Sequence, residues 1–160
     1  MIVKLTHDYI GQTHALIKEI VLSMENYNET GKEEQIKSYS VENLYHNVSN
    51  PSRHDLIYLD GNDVVAFTMS VIENYGEHRM LNWEWLGLRP KYRSTGISDS
   101  MWYTLERWAM KQNVDGVIGY SLTHNIPMFK YMSKLKFNVW TTVKNHWYGQ
   151  DYFIWGKLYG

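Results

Sequence analysis

The sequence predicts an α/β (α+β) fold built as one domain over residues 1–160. Hydrophobic residues make up 44% of the 160 positions, which is enough to bury a core. Stretches with apolar residues three and four positions apart alternate with short, continuous apolar segments, and turn-forming residues separate them. This pattern predicts the element order β-α-α-β-β-β-α-β-α-β-β.

The N-terminal third is predicted to hold one strand and two helices. Residues 2–5 are apolar enough for a short strand, and helical periodicity begins after Asp8. Residues 26–38 are polar and are expected to form a loop. Ser40 is a suitable N-cap for a second, shorter helix, and Pro51 is expected to follow the end of that helix.

The middle of the chain is predicted to form three consecutive strands. Residues 56–59 and 64–72 are apolar, and the sequence Asp-Gly-Asn-Asp at 60–63 suits a tight hairpin turn between them. Residues 75–77 then turn the chain into a third strand over 80–88. The first two strands are therefore predicted to pair as a hairpin.

The last part of the chain is predicted to alternate between helices and strands. A helix over 98–111 precedes a strand over 117–122, and Asn125 is positioned to cap a further helix. Two aromatic-rich strands follow, at about 138–147 and 152–159. Their aromatic residues are expected to belong either to the core or to an interface in a homo-oligomer.

The composition excludes several kinds of partner and site. The formal net charge is −1, which argues against nucleic acid or a membrane surface as a partner held by charge. There is no cysteine, so disulfides, thiolate zinc sites and cysteine nucleophiles are excluded. The seven histidines show no metal-binding spacing, and we expect no metal site. Without a signal peptide or a membrane-spanning apolar run, a cytoplasmic protein is expected.

The segment between strand 80–88 and helix 98–111 has the features of an anion site. Its residues 93–98 are Arg-Ser-Thr-Gly-Ile-Ser, and small residues let a backbone approach a bound group closely. The first turn of the following helix has free N–H groups and carries the positive end of the helix dipole. The pyrophosphate of a cofactor would suit such a site, and an ordinary loop connection is the alternative.

Two segments resemble the signatures of the GNAT superfamily, whose members transfer acetyl groups from acetyl-CoA to amines. Residues 86–98, Leu-Gly-Leu-Arg-Pro-Lys-Tyr-Arg-Ser-Thr-Gly-Ile-Ser, resemble the acetyl-CoA-binding signature apolar-x-apolar-x-Pro-x-Tyr-Arg-x-x-Gly-Ile-Gly. Residues 125–137, Asn-Ile-Pro-Met-Phe-Lys-Tyr-Met-Ser-Lys-Leu-Lys-Phe, resemble the second signature, Asn-x-x-Ala-x-x-x-Tyr-x-Lys-Leu-Gly-Phe. The two lie in the expected order, and the resemblance covers the chain well from about Asp55 onward.

The resemblance implies the GNAT acyl-CoA acyltransferase fold: a central mixed, mostly antiparallel sheet of about six to seven strands flanked by about four helices. It implies that strand 80–88 separates from its neighbour. The backbone of Leu86 and Leu88 would then hold the pantetheine arm of the co-substrate acetyl-CoA, with the Leu86 N–H stabilising the oxyanion. The loop residues that would bind its pyrophosphate are Arg93, Ser94, Thr95, Gly96, Ile97 and Ser98.

Glu84 is the candidate proton acceptor, because superfamily members often place one at this position. An amine must lose a proton before it attacks a thioester. A carboxylate flanked by two tryptophans is expected to be partly desolvated, which makes it a better base. The alternative is a structural carboxylate paired with a Lys, Arg or Tyr. Strand alternation predicts that Glu84 shares one face with Asn82, Leu86 and Leu88.

The chain departs from the signatures at three positions. Ser98, Met132 and Lys136 stand where the superfamily has Gly, Tyr and Gly. The superfamily's tyrosine often protonates the departing thiolate, and Tyr131, one residue earlier, is the candidate acid. One step along a helix rotates a side chain by about 100°, so a core or surface role is the alternative for Tyr131.

Two residues of the second signature match the superfamily pattern. Asn125 is a candidate for contacting the pantetheine arm, and its alternative role is an N-cap. Lys134 occupies a basic position that can face cofactor phosphates, and its alternative is an ordinary solvated lysine.

Two functions are compatible with these observations. The first is an N-acetyltransferase in which a primary amine of a small molecule or peptide attacks acetyl-CoA directly, in a pocket walled by residues 26–38 and 148–151. Glutamates in the first wall favour a cationic acceptor. The second is a catalytically reduced GNAT-fold protein with a structural or binding role, such as a bacteriophage virion protein, since viruses of bacteria carry divergent members.

Overall fold

The structure is a computed structural model that describes residues 1–160, and its architecture is an α/β fold with one seven-stranded sheet. Short 3₁₀ turns lie at His7–Tyr9 and Pro90–Tyr92. The other elements are β1 (Ile2–Lys4), α1 (Ile10–Ser23), α2 (Glu29–Ser38), α3 (Val41–Val48), β2 (Leu56–Asp60), β3 (Asp63–Tyr75), β4 (His78–Leu88), α4 (Ile97–Lys111), β5 (Gly116–Leu122), α5 (Ile126–Lys134), β6 (Asn138–Val143) and β7 (Tyr152–Leu158).

The sheet is mixed and mostly antiparallel, which confirms the predicted fold class. Its strand order is β1-β2-β3-β4-β5-β7-β6, and β4 and β5 are the parallel pair. Helix α4 makes the crossover that a parallel pair requires. The predicted hairpin of β2 and β3 is present, and β6 lies at the edge of the sheet with Val139 and Trp140 exposed.

The structure has five α-helices, one more than expected, because α2 occupies much of the segment predicted to be a loop. The side chain of Asn28 caps this helix by accepting a hydrogen bond from the Gly31 N–H at 2.8 Å. Gly31 is the one buried residue of α2, and a Cβ there would lie 2.8 Å from Tyr27 and 3.1 Å from Tyr148. The helix thus buries a backbone patch rather than an apolar stripe, so hydrophobic periodicity does not reveal it.

The core has two parts, one on each face of the sheet. Helices α4 and α5 cover one face, where Met101, Trp102 and Leu105 are fully buried. Helix α1 covers the other face through Leu16 and Ile17. None of the helices is long and apolar enough to cross a membrane.

Strand β4 contains a β-bulge at Glu84. Ser70 of β3 pairs with Trp83, and the preceding residue, Met69, pairs with Trp85, so Glu84 has no partner on β3. A bulge of this kind bends a strand and redirects its side chains. The buried hydroxyl of Thr68 holds the two sides of the bulge, because it accepts a hydrogen bond from Trp83 Nε1 at 2.7 Å and donates one to the Trp85 carbonyl at 2.8 Å.

The prediction that Glu84 shares one face with Asn82, Leu86 and Leu88 is wrong, because β4 contains this bulge. Leu86 and Leu88 pack with the core beneath α4, whereas Glu84 bonds to residues on the α1 side. The physical reason is the extra residue, which shifts the two-residue alternation by one step from this point onward.

Burial along α1 predicts very different effects for two leucines of that helix. Leu16 is 0% exposed and Leu22 is 53% exposed. We expect Leu16→Ala to lower the free energy of unfolding by about 2–5 kcal/mol, because it leaves a cavity in the core. The matched Leu22→Ala should stay within about 0.5 kcal/mol of the wild type. Urea unfolding measures both, and equal losses would contradict the described packing of α1.

Candidate active site

A cleft opens between the parallel strands β4 and β5. Their pairing runs from Met80–Gly116 to Trp83–Gly119 and stops there, at the bulge. Beyond that point the strands diverge around a cleft of about 300 Å³, which we call the cofactor cleft. The predicted residues that line it are Glu84, Leu86, Leu88, Arg93, Ser98, Asn125 and Tyr131.

Backbone N–H groups of β4 point into the cofactor cleft. The Arg89 N–H bonds to the Val65 carbonyl at 3.0 Å, on the β3 side of the strand. Directions alternate along an antiparallel strand, so the N–H groups of Leu86 and Leu88 point away from β3. They are therefore directed at the gap where β5 no longer pairs with β4.

The segment 93–98 bends into a cradle at the N-terminus of α4. Ser94 and Gly96 have positive φ angles of 59° and 85°, and Gly96 is the N-cap of the helix. The Thr95 hydroxyl donates to the Tyr92 carbonyl, which fixes the loop. Because α4 is 15 residues long, its first-turn N–H groups and dipole form a strong anion-binding end.

Other residues around the cradle have separate roles. The Ile97 side chain is 9% exposed and anchors the loop in the core. Lys134 forms a 2.6 Å ion pair with Asp99 in the first turn of α4. Lys134 therefore offsets the negative charge that Asp99 brings to the cradle.

Helix α5 supplies two more of the predicted residues to the cofactor cleft. Asn125 lines this cleft and also caps α5, since its side chain accepts a hydrogen bond from the Met128 N–H at 3.2 Å. Tyr131 lines the cleft as well, and its buried hydroxyl has no hydrogen-bond partner. Burial and the nearby carboxylate of Asp99 raise the pKa of Tyr131, so this hydroxyl stays protonated at neutral pH.

The thioether of Met132 occupies the position of the missing signature tyrosine. Met132 is 3% exposed and lines a small cavity beside Trp83, Leu86 and Gly119, at the base of the cofactor cleft. Tyr131 lines the cofactor cleft and not this small cavity, so the one-residue offset places the tyrosine on a different part of the wall.

Glu84 is bound by two side chains that sequence analysis did not identify. Arg53 donates to both oxygens of Glu84, to Oε2 at 2.7 Å and to Oε1 at 3.3 Å. The Tyr39 hydroxyl donates to Oε2 at 2.9 Å. Arg53 also binds Asp55 through two hydrogen bonds, at 3.0 and 3.1 Å. The expected alternative, a carboxylate paired with Arg and Tyr, is thus what the structure shows.

This cluster of Arg53, Asp55, Glu84 and Tyr39 has a net charge of −1 when both carboxylates are ionised. Burial alone would lower the pKa of Arg53. The hydrogen bonds with Glu84 and Asp55 raise this pKa by more than burial lowers it, so the guanidinium stays charged. Burial also raises the pKa of Asp55, against the effect of Arg53. Burial and the charge of Glu84 raise the pKa of Tyr39, which keeps its hydroxyl a donor.

A second cleft, of about 290 Å³, lies on the other side of Glu84, and we call it the acceptor cleft. The segments predicted to wall an acceptor pocket meet here, where Asn28 Nδ2 donates to the Tyr148 carbonyl at 2.7 Å. Its lining residues are Tyr27, Gln35, Ser38, Tyr39, Asn82, Glu84, Trp85, Tyr120, Trp147, Tyr148 and Tyr152.

The pairing of Arg53 with two carboxylates predicts a large effect of its removal. Arg53→Met should lower the free energy of unfolding by about 3–5 kcal/mol, because it leaves Asp55, 4% exposed, without its counter-charge. Urea unfolding measures the loss. The matched control is Arg89→Met, which breaks an exposed ion pair with Glu19 and should cost at most about 1 kcal/mol. Equal effects of the two variants would contradict the buried cluster.

Comparison with known proteins gives a family match. The Acetyltransferase (GNAT) family model matches residues 19–137. No curated protein matches the sequence. A solved structure of similar fold is the PaiA N-acetyltransferase from Thermoplasma acidophilum in complex with coenzyme A, with a TM-score of 0.83 at 20% identity, covering 99% of this chain and 98% of that chain.

Two ribosomal-protein acetyltransferases are also similar in structure. The ribosomal-protein-alanine N-acetyltransferase from Brucella melitensis has a TM-score of 0.77 at 16% identity, covering 99% of each chain. The ribosomal-protein-S18-alanine N-acetyltransferase from Escherichia coli has a TM-score of 0.73 at 14% identity, covering 99% of this chain and 92% of that chain. At these identities the likeness shows the fold alone.

Proposed function

Because the chain belongs to the acetyltransferase (GNAT) family, we propose that it transfers the acetyl group of acetyl-CoA to a primary amine. The observation that carries the proposal is the arrangement of the cofactor cleft. An anion cradle lies at one end, backbone N–H groups point inward along one wall, and a carboxylate stands where this cleft meets the acceptor cleft. The structures named above give no support to the alternative of a virion component.

The cofactor cleft has the groups that acetyl-CoA requires. The cradle of residues 93–98 offers N–H groups to the pyrophosphate, and Lys134 reduces the repulsion from Asp99. The N–H groups of Leu86 and Leu88 can pair with the pantetheine arm, as another strand would, and Asn125 lies on the opposite wall. The similar Thermoplasma protein binds coenzyme A, which supports this assignment.

Glu84 accepts the proton of the amine, directly or through a water molecule. Its Oε1 is the freer oxygen, because it accepts only the 3.3 Å bond from Arg53. Arg53 shares its positive charge between Glu84 and Asp55.

The reaction is a direct acyl transfer without a covalent enzyme intermediate. The amine nitrogen forms a bond to the carbonyl carbon of the thioester, while its proton passes to Glu84. The Leu86 N–H stabilises the negative charge that develops on the carbonyl oxygen. The carbon–sulfur bond then breaks, and the thiolate leaves with the electron pair.

Tyr131 is the proposed proton donor to that thiolate. It lines the cofactor cleft and its hydroxyl is protonated at neutral pH, and the tyrosinate formed by the transfer regains a proton from solvent. A thiol of ordinary acidity leaves as a thiolate at modest cost, so this donor assists the reaction rather than enabling it.

Binding of acetyl-CoA is the first test of the proposal. Acetyl-CoA at 100 times its Kd should stabilise the fold by about 2.7 kcal/mol, which raises Tm by about 2–4 °C for each kcal/mol. Gly96→Pro should abolish this rise, because proline removes an N–H and cannot adopt a φ of 85°. Thermal-shift measurements detect both effects.

Gly61→Pro is the matched control for that test. Gly61 also has a positive φ, of 61°, with no side-chain contact at the Cβ position, but it lies in the β2–β3 turn. It should lower the baseline Tm and keep the rise on adding acetyl-CoA. A wild type whose Tm does not move at millimolar acetyl-CoA would refute the proposed function.

Turnover of acetyl-CoA with an amine tests the role of Glu84. Glu84→Gln keeps the shape of the side chain but cannot accept a proton, so we expect turnover to fall by roughly 10²–10⁴ with the acetyl-CoA thermal shift retained. The difference in turnover between the variant and the wild type should become smaller at high pH, where more of the amine is already neutral. Tyr131→Phe should reduce turnover less. If Glu84→Gln turned over acetyl-CoA at the wild-type rate at neutral pH, Glu84 would have only a structural role.

A further inference from the structure

We infer that the acceptor cleft binds a small amine cation with an apolar body, held between aromatic side chains, rather than the N-terminus of a polypeptide. This inference rests on the proposed function for the identity of the cleft and names the class of substrate. Two features of the cleft carry it: its aromatic walls and the hydrogen bonds that join the α1–α2 connection to the β6–β7 connection across it.

The walls of the acceptor cleft are aromatic and carry one negative charge. Seven of its eleven lining residues are Tyr or Trp, and Glu84 is the only charged residue among them. Tyr120 and Trp147 meet edge to face with ring centroids 4.8 Å apart, and Tyr27 stacks near Trp85 at 6.2 Å. Ring faces attract cations, and the rings also remove an aliphatic chain from water. No lysine, arginine or histidine lines the cleft to receive an anion.

Hydrogen bonds between the α1–α2 connection and the β6–β7 connection bridge one side of the acceptor cleft. In addition to the bond from Asn28 to the Tyr148 carbonyl, Gln150 Nε2 donates to the Asn26 carbonyl at 2.9 Å. Gln35 Nε2 reaches the Tyr148 hydroxyl at 3.5 Å. A volume of about 290 Å³ lies at the small end of ligand sites, which run from about 300 to 1,000 Å³. An extended polypeptide that crossed the cleft on this side would have to break these bonds, whereas a small amine would not.

Binding to the protein saturated with CoA, which cannot transfer an acetyl group, tests the inference without turnover. We expect calorimetry to show n-hexylammonium binding at least ten times more tightly than 1-hexanol, which has the same chain without the charge. It should also bind at least ten times more tightly than a tripeptide with a free N-terminus. Equal or tighter binding of hexanol or of the tripeptide would overturn the inference.

Variants of residues in the acceptor cleft provide a second test of the inference. Trp147→Leu should weaken n-hexylammonium binding about three- to thirty-fold by removing one ring face. Trp140→Leu, which changes another half-exposed tryptophan outside the cleft, is the matched control and should bind like the wild type. Unchanged binding by Trp147→Leu would contradict the aromatic site.

Acetyl transfer separates a failure of this inference from a failure of the proposed function. Faster acetylation of the tripeptide than of n-hexylamine would overturn the inference and leave the transferase intact. Tight n-hexylammonium binding without acetylation of any amine would refute the transferase and support the cation site.

Discussion

The extra residue in β4 is the constraint on which the rest of the site depends. Pairing between β4 and β5 ends at Trp83, and the next residue, Glu84, is the one left without a partner on β3. The bulge therefore marks both the start of the cofactor cleft and the position of the only carboxylate that lines it. Thr68 holds the bulge from below through its bonds to Trp83 and Trp85. In a regular strand, the N–H groups of Leu86 and Leu88 and the carboxylate of Glu84 would not have the directions that they have here.

The bulge also divides the two tryptophans that flank Glu84 between the two halves of the core. Trp83 packs against Trp102 at a centroid distance of 4.4 Å, under α4. Trp85 packs toward Phe67 at 6.2 Å, on the α1 side, and its Nε1 donates to Gln35 at 2.9 Å. Each half of the core thus fixes one neighbour of the carboxylate, and this limits its movement from both faces of the sheet.

In the proposed reaction the two clefts would use different parts of the chain for recognition. The cofactor cleft would rely on backbone N–H groups and a helix N-terminus, which many sequences can supply in the same fold. The acceptor cleft would rely on side chains, above all on rings from the α1–α2 connection, β4, β5 and the β6–β7 connection. Glu84, Trp85 and Tyr120 line both clefts, so the carboxylate stands where the two substrates of the proposed reaction would meet.

The sequence by itself determined most of the strands and helices, the position of the anion cradle and the family. These follow from local patterns: alternating apolar segments, a small-residue loop before a helix, and two signatures in order. Helix α2 was missed because its packing depends on the distant Tyr148. Only the tertiary structure decided that Leu86 lies on the opposite face from Glu84, because a bulge is a mismatch between two strands. It also decided that Arg53, Asp55 and Tyr39 surround Glu84, since nothing in the spacing of these residues along the chain indicates that folding brings their charges together.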